Sequence, residues 1–171
     1  VRKIGFDLLR GQGRGSGLVP PTEAQMLKSM EEVYERVEQL SKLAGYKISI
    51  SQAERAKLLC AESCRQFGHC YAMNGEAAFV DASGKIYACS SLIGNEDFYI
   101  GNVQDGLDNT LVKKVSDKIF QSMSFCRECT DFKLCGGGCF ARWYGSGAKV
   151  AYKSECAMKR ISIKMIGESE K

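Results

Sequence analysis

Nine cysteines stand in this 171-residue chain, and all of them lie between Cys60 and Cys156. Four fall within fourteen residues, as Cys126-x2-Cys129-x5-Cys135-Gly-Gly-Gly-Cys139. A Cys-x-x-Cys turn points two thiols at one centre while its backbone N–H groups turn toward the sulfurs. Gly136, Gly137 and Gly138 let the backbone approach closely and adopt conformations closed to other residues. Such N–H donors stabilise thiolate charge and tune a bound metal group. Cys60, Cys64, Cys70 and Cys89 precede this group, and Cys156 follows it.

An odd count sits badly with a complete disulfide framework. The N-terminus, Val1-Arg2-Lys3-Ile4, lacks the apolar stretch of a secretory signal. The expectation is therefore a cytoplasmic, metal-binding protein rather than a disulfide-stapled one. Iron–sulfur chemistry and structural zinc both suit paired cysteine knuckles. Either would set negative charge against the formal net charge of +4, so charge supports metal without choosing between them.

The rest of the composition is ordinary. With 44% hydrophobic and 26% charged residues and two prolines, the chain is neither disordered nor fibrous. No apolar run approaches the roughly 18 residues of a membrane span. The weak, dispersed positive charge does not point to nucleic acid.

Periodicity places the elements. Lys3 to Leu9 reads as a strand, followed by a turn with Gly11, Gly13, Gly15 and Gly17. Thr22 and Gln25 form a capping box before a helix whose Met26, Met30, Val33, Val37 and Leu40 share one face, and Gly45 ends it. Tyr46, Ile48 and Ile50 alternate as a short strand. Ser51 with Glu54 predicts a second capping box and a helix to about Leu59. Phe79-Val80 and Ile86-Tyr87 predict a hairpin around Asp81-Ala82-Ser83-Gly84. Phe98 to Val103 suggests one more strand. Asp108 or Asn109 caps a helix carrying Val115 and Ile119, Cys126 to Cys139 is expected as a compact loop, and Ser154 caps a last helix.

The pattern Cys70-x13-Gly84-x4-Cys89, gap, Cys126-x2-Cys129-x5-Cys135-x3-Cys139, gap, Cys156 resembles the seven-cysteine SPASM motif. That motif belongs to the C-terminal domain of radical SAM (S-adenosylmethionine) enzymes that modify peptides and proteins. The likeness spans Leu59 to Ile166, about two-thirds of the chain. The segment from Cys89 to Val103 is similar to its counterpart in thioether-forming peptide maturases, closer in feel than to sulfatase-maturating members.

The resemblance implies two auxiliary [4Fe–4S] clusters. Cluster I takes Cys70, Cys89 and Cys139, with Cys64 as fourth ligand and Cys60 as its competitor, or keeps an open iron. Cluster II takes Cys126, Cys129, Cys135 and Cys156. Zinc is the alternative metal. The implied fold is a small α+β SPASM domain over 46–171, with a β-hairpin, two cluster loops and flanking helices. A strand, Gly-rich turn and bridging helix over 1–45 precede it, as the tail of a radical SAM core. On this reading the stripe from Met26 to Leu40 packs on an absent barrel.

The SAM-cleaving motif Cys-x3-Cys-x2-Cys is missing. Cys60-x3-Cys64 begins it, but Phe67 stands at the third position. The chain alone is therefore not expected to cleave SAM, which enters only in a full-length or partner enzyme. The implied partners are a radical SAM core in cis or trans, a precursor peptide and an electron donor such as ferredoxin or flavodoxin. A zinc-stabilised interaction module and a free-standing iron–sulfur carrier are the competing functions.

Other residues take bland readings at this stage. His69 beside Cys70 is a positional accident, and Trp143 and Tyr144 are packing over cluster II. No motif selects Glu128 or Asp131 for chemistry. Lys153, Lys159, Arg160 and Lys164 form a solvated basic face on the last helix.

Overall fold

The computed structural model describes residues 1–8, 18–61, 70–145 and 153–169. In chain order the strands and helices are β1 (Lys3–Ile4), α1 (Glu23–Ala44), β2 (Ser49–Ile50), α2 (Ser51–Ala61) and α3 (Tyr71–Asn74), then β3 (Phe79–Val80), β4 (Lys85–Tyr87), β5 (Tyr99–Asn102) and β6 (Gly106–Leu107). α4 (Asn109–Ser122), α5 (Ser124–Arg127), α6 (Phe132–Cys135), α7 (Phe140–Gly145) and α8 (Lys153–Ser169) complete the order. Among the described residues, no helix is long and apolar enough to cross a membrane.

The predicted hairpin is the first half of a four-stranded antiparallel meander, β3-β4-β5-β6. Asp81 holds its turn, its Oδ1 accepting from the Ser83 and Lys85 amides at 2.8 and 3.1 Å. The strand expected over Phe98 to Val103 is β5, and β6 beyond it has too short and polar a sequence to announce itself. Gly101 makes the β5–β6 approach possible: at φ +150° a Cβ there would lie 2.2 Å from the Gly106 carbonyl oxygen.

α4 covers this sheet. Asp108 caps it, accepting from the Thr110 and Leu111 amides at 2.8 and 3.2 Å. Val115, Ile119 and Met123 recur at a spacing of four and bury against Ile86, Phe98, Ile100 and Phe140. The apolar stripe of the helix is what fixes the sheet beneath the cysteine segments.

A second core joins the chain ends. The Thr22–Gln25 capping box forms, with Gln25 N donating to Thr22 Oγ1 at 3.3 Å and Thr22 N to Gln25 Oε1 at 2.9 Å. Gly45 closes α1 at φ 69°. Met26, Met30 and Tyr34 of α1 pack with Met158, Ile161 and Met165 of α8. Met26 and Met30, from the stripe read as a surface for an absent barrel, thus meet α8 within the chain. Tyr34 Oη also donates to the buried Ser162 Oγ at 2.9 Å.

Several local expectations are corrected. The first strand is only Lys3–Ile4, paired in parallel with Ser49–Ile50. Leu9 and the glycine turn at 11–17 lie outside the described residues. α2 already includes Ser51, and Glu54 pairs with Lys3 at 2.5 Å, drawing it from the predicted capping box. Ser154 sits inside α8 and donates to the Pro21 carbonyl at 2.6 Å. The stretch expected as one loop, Cys126 to Cys139, is built of α5, α6 and the approach to α7. Four-residue helices of this kind have no periodicity to read.

Gly101→Ala is expected to lower stability by about 1–3 kcal/mol, because backbone rather than a flexible side chain meets the new Cβ. Gly106→Ala has a positive φ but open space around it, and should cost less. Urea unfolding of both variants checks the order.

Candidate metal centre

Cys70, Cys89, Cys126, Cys129, Cys135 and Cys139 each sit in or beside a short element, whereas Cys156 lies within the long helix α8. Cys70 precedes α3, and its carbonyl accepts from the Met73 and Asn74 amides at 3.1 Å each. Cys89 ends the β4 segment and starts a 3-10 turn over Ser90–Leu92. Cys139 starts α7, its carbonyl accepting from the Arg142 amide at 3.1 Å. Cys126 lies in α5, Cys129 just beyond it, Cys135 at the end of α6, and Cys156 in α8. None of the seven is joined in a disulfide, and of them Cys126 is the buried one.

Their electrostatic neighbours fall into two sets. Cys70 feels Cys139 and Cys89. Cys126 feels Cys135, Cys135 feels Cys129, and Cys156 feels both Cys126 and Cys135. The first set is Cys70, Cys89 and Cys139; the second is Cys126, Cys129, Cys135 and Cys156. Cys64 and His69 lie outside the described residues, and Cys60 falls in the last turn of α2. Among the described residues, no three His, Cys, Asp or Glu side chains close on one point as ligands of a single ion.

Backbone amides serve the sulfurs as expected. The Met73 and Ala72 amides favour the Cys70 thiolate, and those of Gly138 and Gly137 favour Cys126 and Cys135. Gly136 and Gly137 adopt φ of 66° and 83°, so both positions need glycine. Gly138 does not have a positive φ; its contribution is the amide it offers Cys126.

Between the sets lies an ion-pair node with no motif in the sequence. Glu155, only 3% exposed, accepts from the Cys139 amide through both carboxylate oxygens at 3.2 Å. Arg142 Nη1 donates to Glu155 Oε1 at 2.8 Å, its Nε to the Leu8 carbonyl at 3.2 Å, and its Nη2 to Asp7. Lys159 Nζ donates to the Gly137 carbonyl and lies 3.8 Å from Glu155 Oε1. Arg160 Nε donates to Asp131 Oδ2 at 2.7 Å, and its Nη2 lies 3.9 Å from Cys129 Sγ.

The expected solvated basic face is therefore only partly so: Lys159 and Arg160 turn toward the second cysteine set. One available signal was missed, since positions three and four beyond Cys156 share its helix face. Tyr144 packs edge-on against Phe98 at 5.3 Å between ring centroids, on the sheet side. Trp143 packs on Phe125 and Phe140. Both are partly buried and pack against the sheet-side core.

Burial pushes the Cys70 and Cys156 thiols up to about 11, with neighbouring cysteines adding to the effect. Cys126 and Cys135 are raised by the same cause. The protein alone thus disfavours these thiolates, and a bound metal supplies the positive charge that deprotonates a coordinating thiol. Soft thiol donors in two sets, backed by amides and cations, fit iron–sulfur or zinc. A cavity of about 520 Å³ bordered by Cys70, Cys89, Cys135 and Cys139 leaves room beside the first set.

The fold and the thiol sets define a cysteine-rich α+β module in which distant segments bring thiols near one another. No protein-family model matches the sequence, and no curated protein does. The structure resembles that of native anSMEcpe, an anaerobic sulfatase-maturating enzyme, with bound AdoMet, at 18% identity and a TM-score of 0.58. The match covers 88% of this chain and 42% of that one. His-tagged anSMEcpe with bound AdoMet matches at 19% identity and a TM-score of 0.57, over 87% of this chain and 40% of that one. The chain thus spans about two-fifths of the length of these structures, and at such identity the likeness is one of fold. Nothing in it singles out thioether-forming enzymes. Leu92, Phe98 and Ile100, inside the segment that suggested them, are buried core residues, which accounts for its pattern by packing.

Two outcomes are expected of the metal-free protein. Arg142→Met should cost about 3–5 kcal/mol, because it strands a buried carboxylate, and adding Glu155→Gln should recover part of the loss. Thermal unfolding of the single and double variants measures both. The raised Cys70 and Cys156 pKa values stabilise the fold below the ordinary thiol value of 9.0, and that stability is lost as pH rises toward about 11. An unfolding series across that range should show the decline, and Cys70→Ser should flatten it.

Proposed function

We propose that this chain is the auxiliary-cluster domain of a radical SAM enzyme that modifies peptides or proteins. The observation that supports the reading is that the electrostatic neighbours of the cysteines group as the resemblance implies, on a fold shared with anSMEcpe. Cys70, Cys89 and Cys139, with Cys64 or Cys60, would hold one [4Fe–4S] cluster. Cys126, Cys129, Cys135 and Cys156 would hold the other. When bound, such clusters supply one-electron transfer and, where an iron lies open, a site for a substrate atom.

The protein's own residues orient these ligands. α3 and the glycines after α6 present amides to the sulfurs, and α4 holds the sheet that leads to Cys89. α8 brings Cys156 back from far along the chain. The region 46–171 is the cluster domain on this reading, and 1–45 the end of a catalytic core supplied in cis or trans. SAM cleavage belongs to that core, and the substrate is a precursor peptide or protein. Thioether crosslinking is one product this reading allows.

Metal analysis of protein purified without air tests it. About eight irons and eight sulfides per chain, with broad absorption near 400 nm, are expected. Cys70→Ser and Cys126→Ser should each remove about half the iron. A folded, colourless protein with about two zincs would overturn the reading in favour of a structural metal module.

A further inference from the structure

The two cysteine sets differ in their charged surroundings. Beside the second set, Lys159 follows Cys156 by three residues on α8 and points its cation at the same space. Its Nζ is anchored by the Gly137 carbonyl and lies 3.8 Å from Glu155 Oε1, and its side chain is only 17% exposed. Cys126 and Cys135 both feel its positive charge. Arg160 also reaches this set, through Cys129, but its side chain is 48% exposed and is shared with Asp131 and Glu23. A cation removed from water acts more strongly on its neighbours than an exposed, shared one.

Among the described residues, the titratable groups acting most strongly on Cys70 are Cys139 and Cys89. The buried cation nearest Cys139 is Arg142, and two carboxylates, Glu155 and Asp7, take up its charge. Glu155 faces both sets. It bonds the Cys139 amide, and it adds negative charge near Cys126, Cys135 and Cys156.

We propose that Lys159 is a positioning residue that raises the reduction potential of the metal group held by Cys126, Cys129, Cys135 and Cys156, and that Glu155 opposes it. The proposal rests on the iron–sulfur reading above. One-electron reduction adds a negative charge to a group that its thiolates already make anionic. A fixed cation stabilises the reduced form, and a fixed carboxylate disfavours it. Lys159 is not a ligand, so its removal should change the potential without changing the iron bound.

The test uses the full chain, reconstituted with iron and sulfide without air, as wild type, Lys159→Met, Lys159→Arg and Glu155→Gln. Each is titrated with a chemical reductant in the presence of redox mediators, followed by absorbance and electron paramagnetic resonance. Iron and sulfide are counted on the same samples. Cys126→Ser, by losing one reduction wave, identifies the wave of the second set. Lys159→Met should move that wave to a more negative potential, leave the other in place and keep the iron content. Lys159→Arg should return it toward wild type. Glu155→Gln should move it to a less negative potential.

An unmoved wave in Lys159→Met at full iron content would overturn the proposal, as would equal displacement of both waves. If Lys159→Met loses iron, the sign of the Glu155→Gln displacement decides, and a negative or null displacement overturns the proposal. Wild-type protein that takes up no iron would sink the iron–sulfur reading itself, a result distinct from the other failures.

Discussion

The Glu155 carboxylate is almost wholly removed from water, a position that is costly for a charge unless its surroundings supply hydrogen bonds and opposite charge. Here Arg142, Lys159 and the Cys139 amide do so together. Through Arg142 the same node ties down the Leu8 carbonyl and Asp7 at the start of the chain. It therefore joins α7 and α8 to the N-terminal segment, which lies more than a hundred residues earlier in the sequence. The cysteine sets meet across it. Cys139, on one side, and Cys156, on the other, belong to different sets, and Glu155 touches the backbone of the first while preceding the second. The arrangement is specific because every member of the node has a partner; an apolar replacement would pack there without registering the segments.

α8 makes that node possible by having two different faces. Met158, Ile161 and Met165 turn to α1 and close the second core. Glu155, Cys156, Lys159 and Arg160 turn to the cysteine turns. Burial on one face pins the helix, and pinning fixes where the charged face presents its groups. The sheet side works in the same way. α4 buries Val115 and Ile119 against β4 and β5, and so sets the position of the β4 end where Cys89 lies. In both cases ordinary apolar packing places the groups with chemistry, and short-range polar contacts refine them.

The likeness to anSMEcpe fits this economy. At 18% identity most side chains differ, and a fold set by apolar stripes and a small meander survives such change where the cores keep their volume and pattern. Such a scaffold tolerates wide substitution outside its cores.

What the sequence determined by itself were the features governed by neighbouring residues. The α1 capping box, the Gly45 stop, the Asp81 turn and the Asp108 cap depend on side chains reaching backbone groups two or three residues away. The stripes of α1 and α4 depend on helical period, and the cysteine spacing marked the candidate segments for a metal site. Only the tertiary structure decided what those elements meet. Met26 and Met30 meet α8, and nothing local to either helix says so. Glu155, Arg142 and Lys159 each look like ordinary surface charges in the sequence, since an ion pair spanning thirteen residues, with a further arm to Asp7, leaves no periodic trace. β6 and the one-turn helices α3, α5 and α6 were hidden for a related reason: they are too short to carry a pattern and exist because long-range packing holds their ends. Local hydrogen-bonding geometry is written in adjacent residues, whereas burial and charge pairing are settled only when distant segments exclude water together.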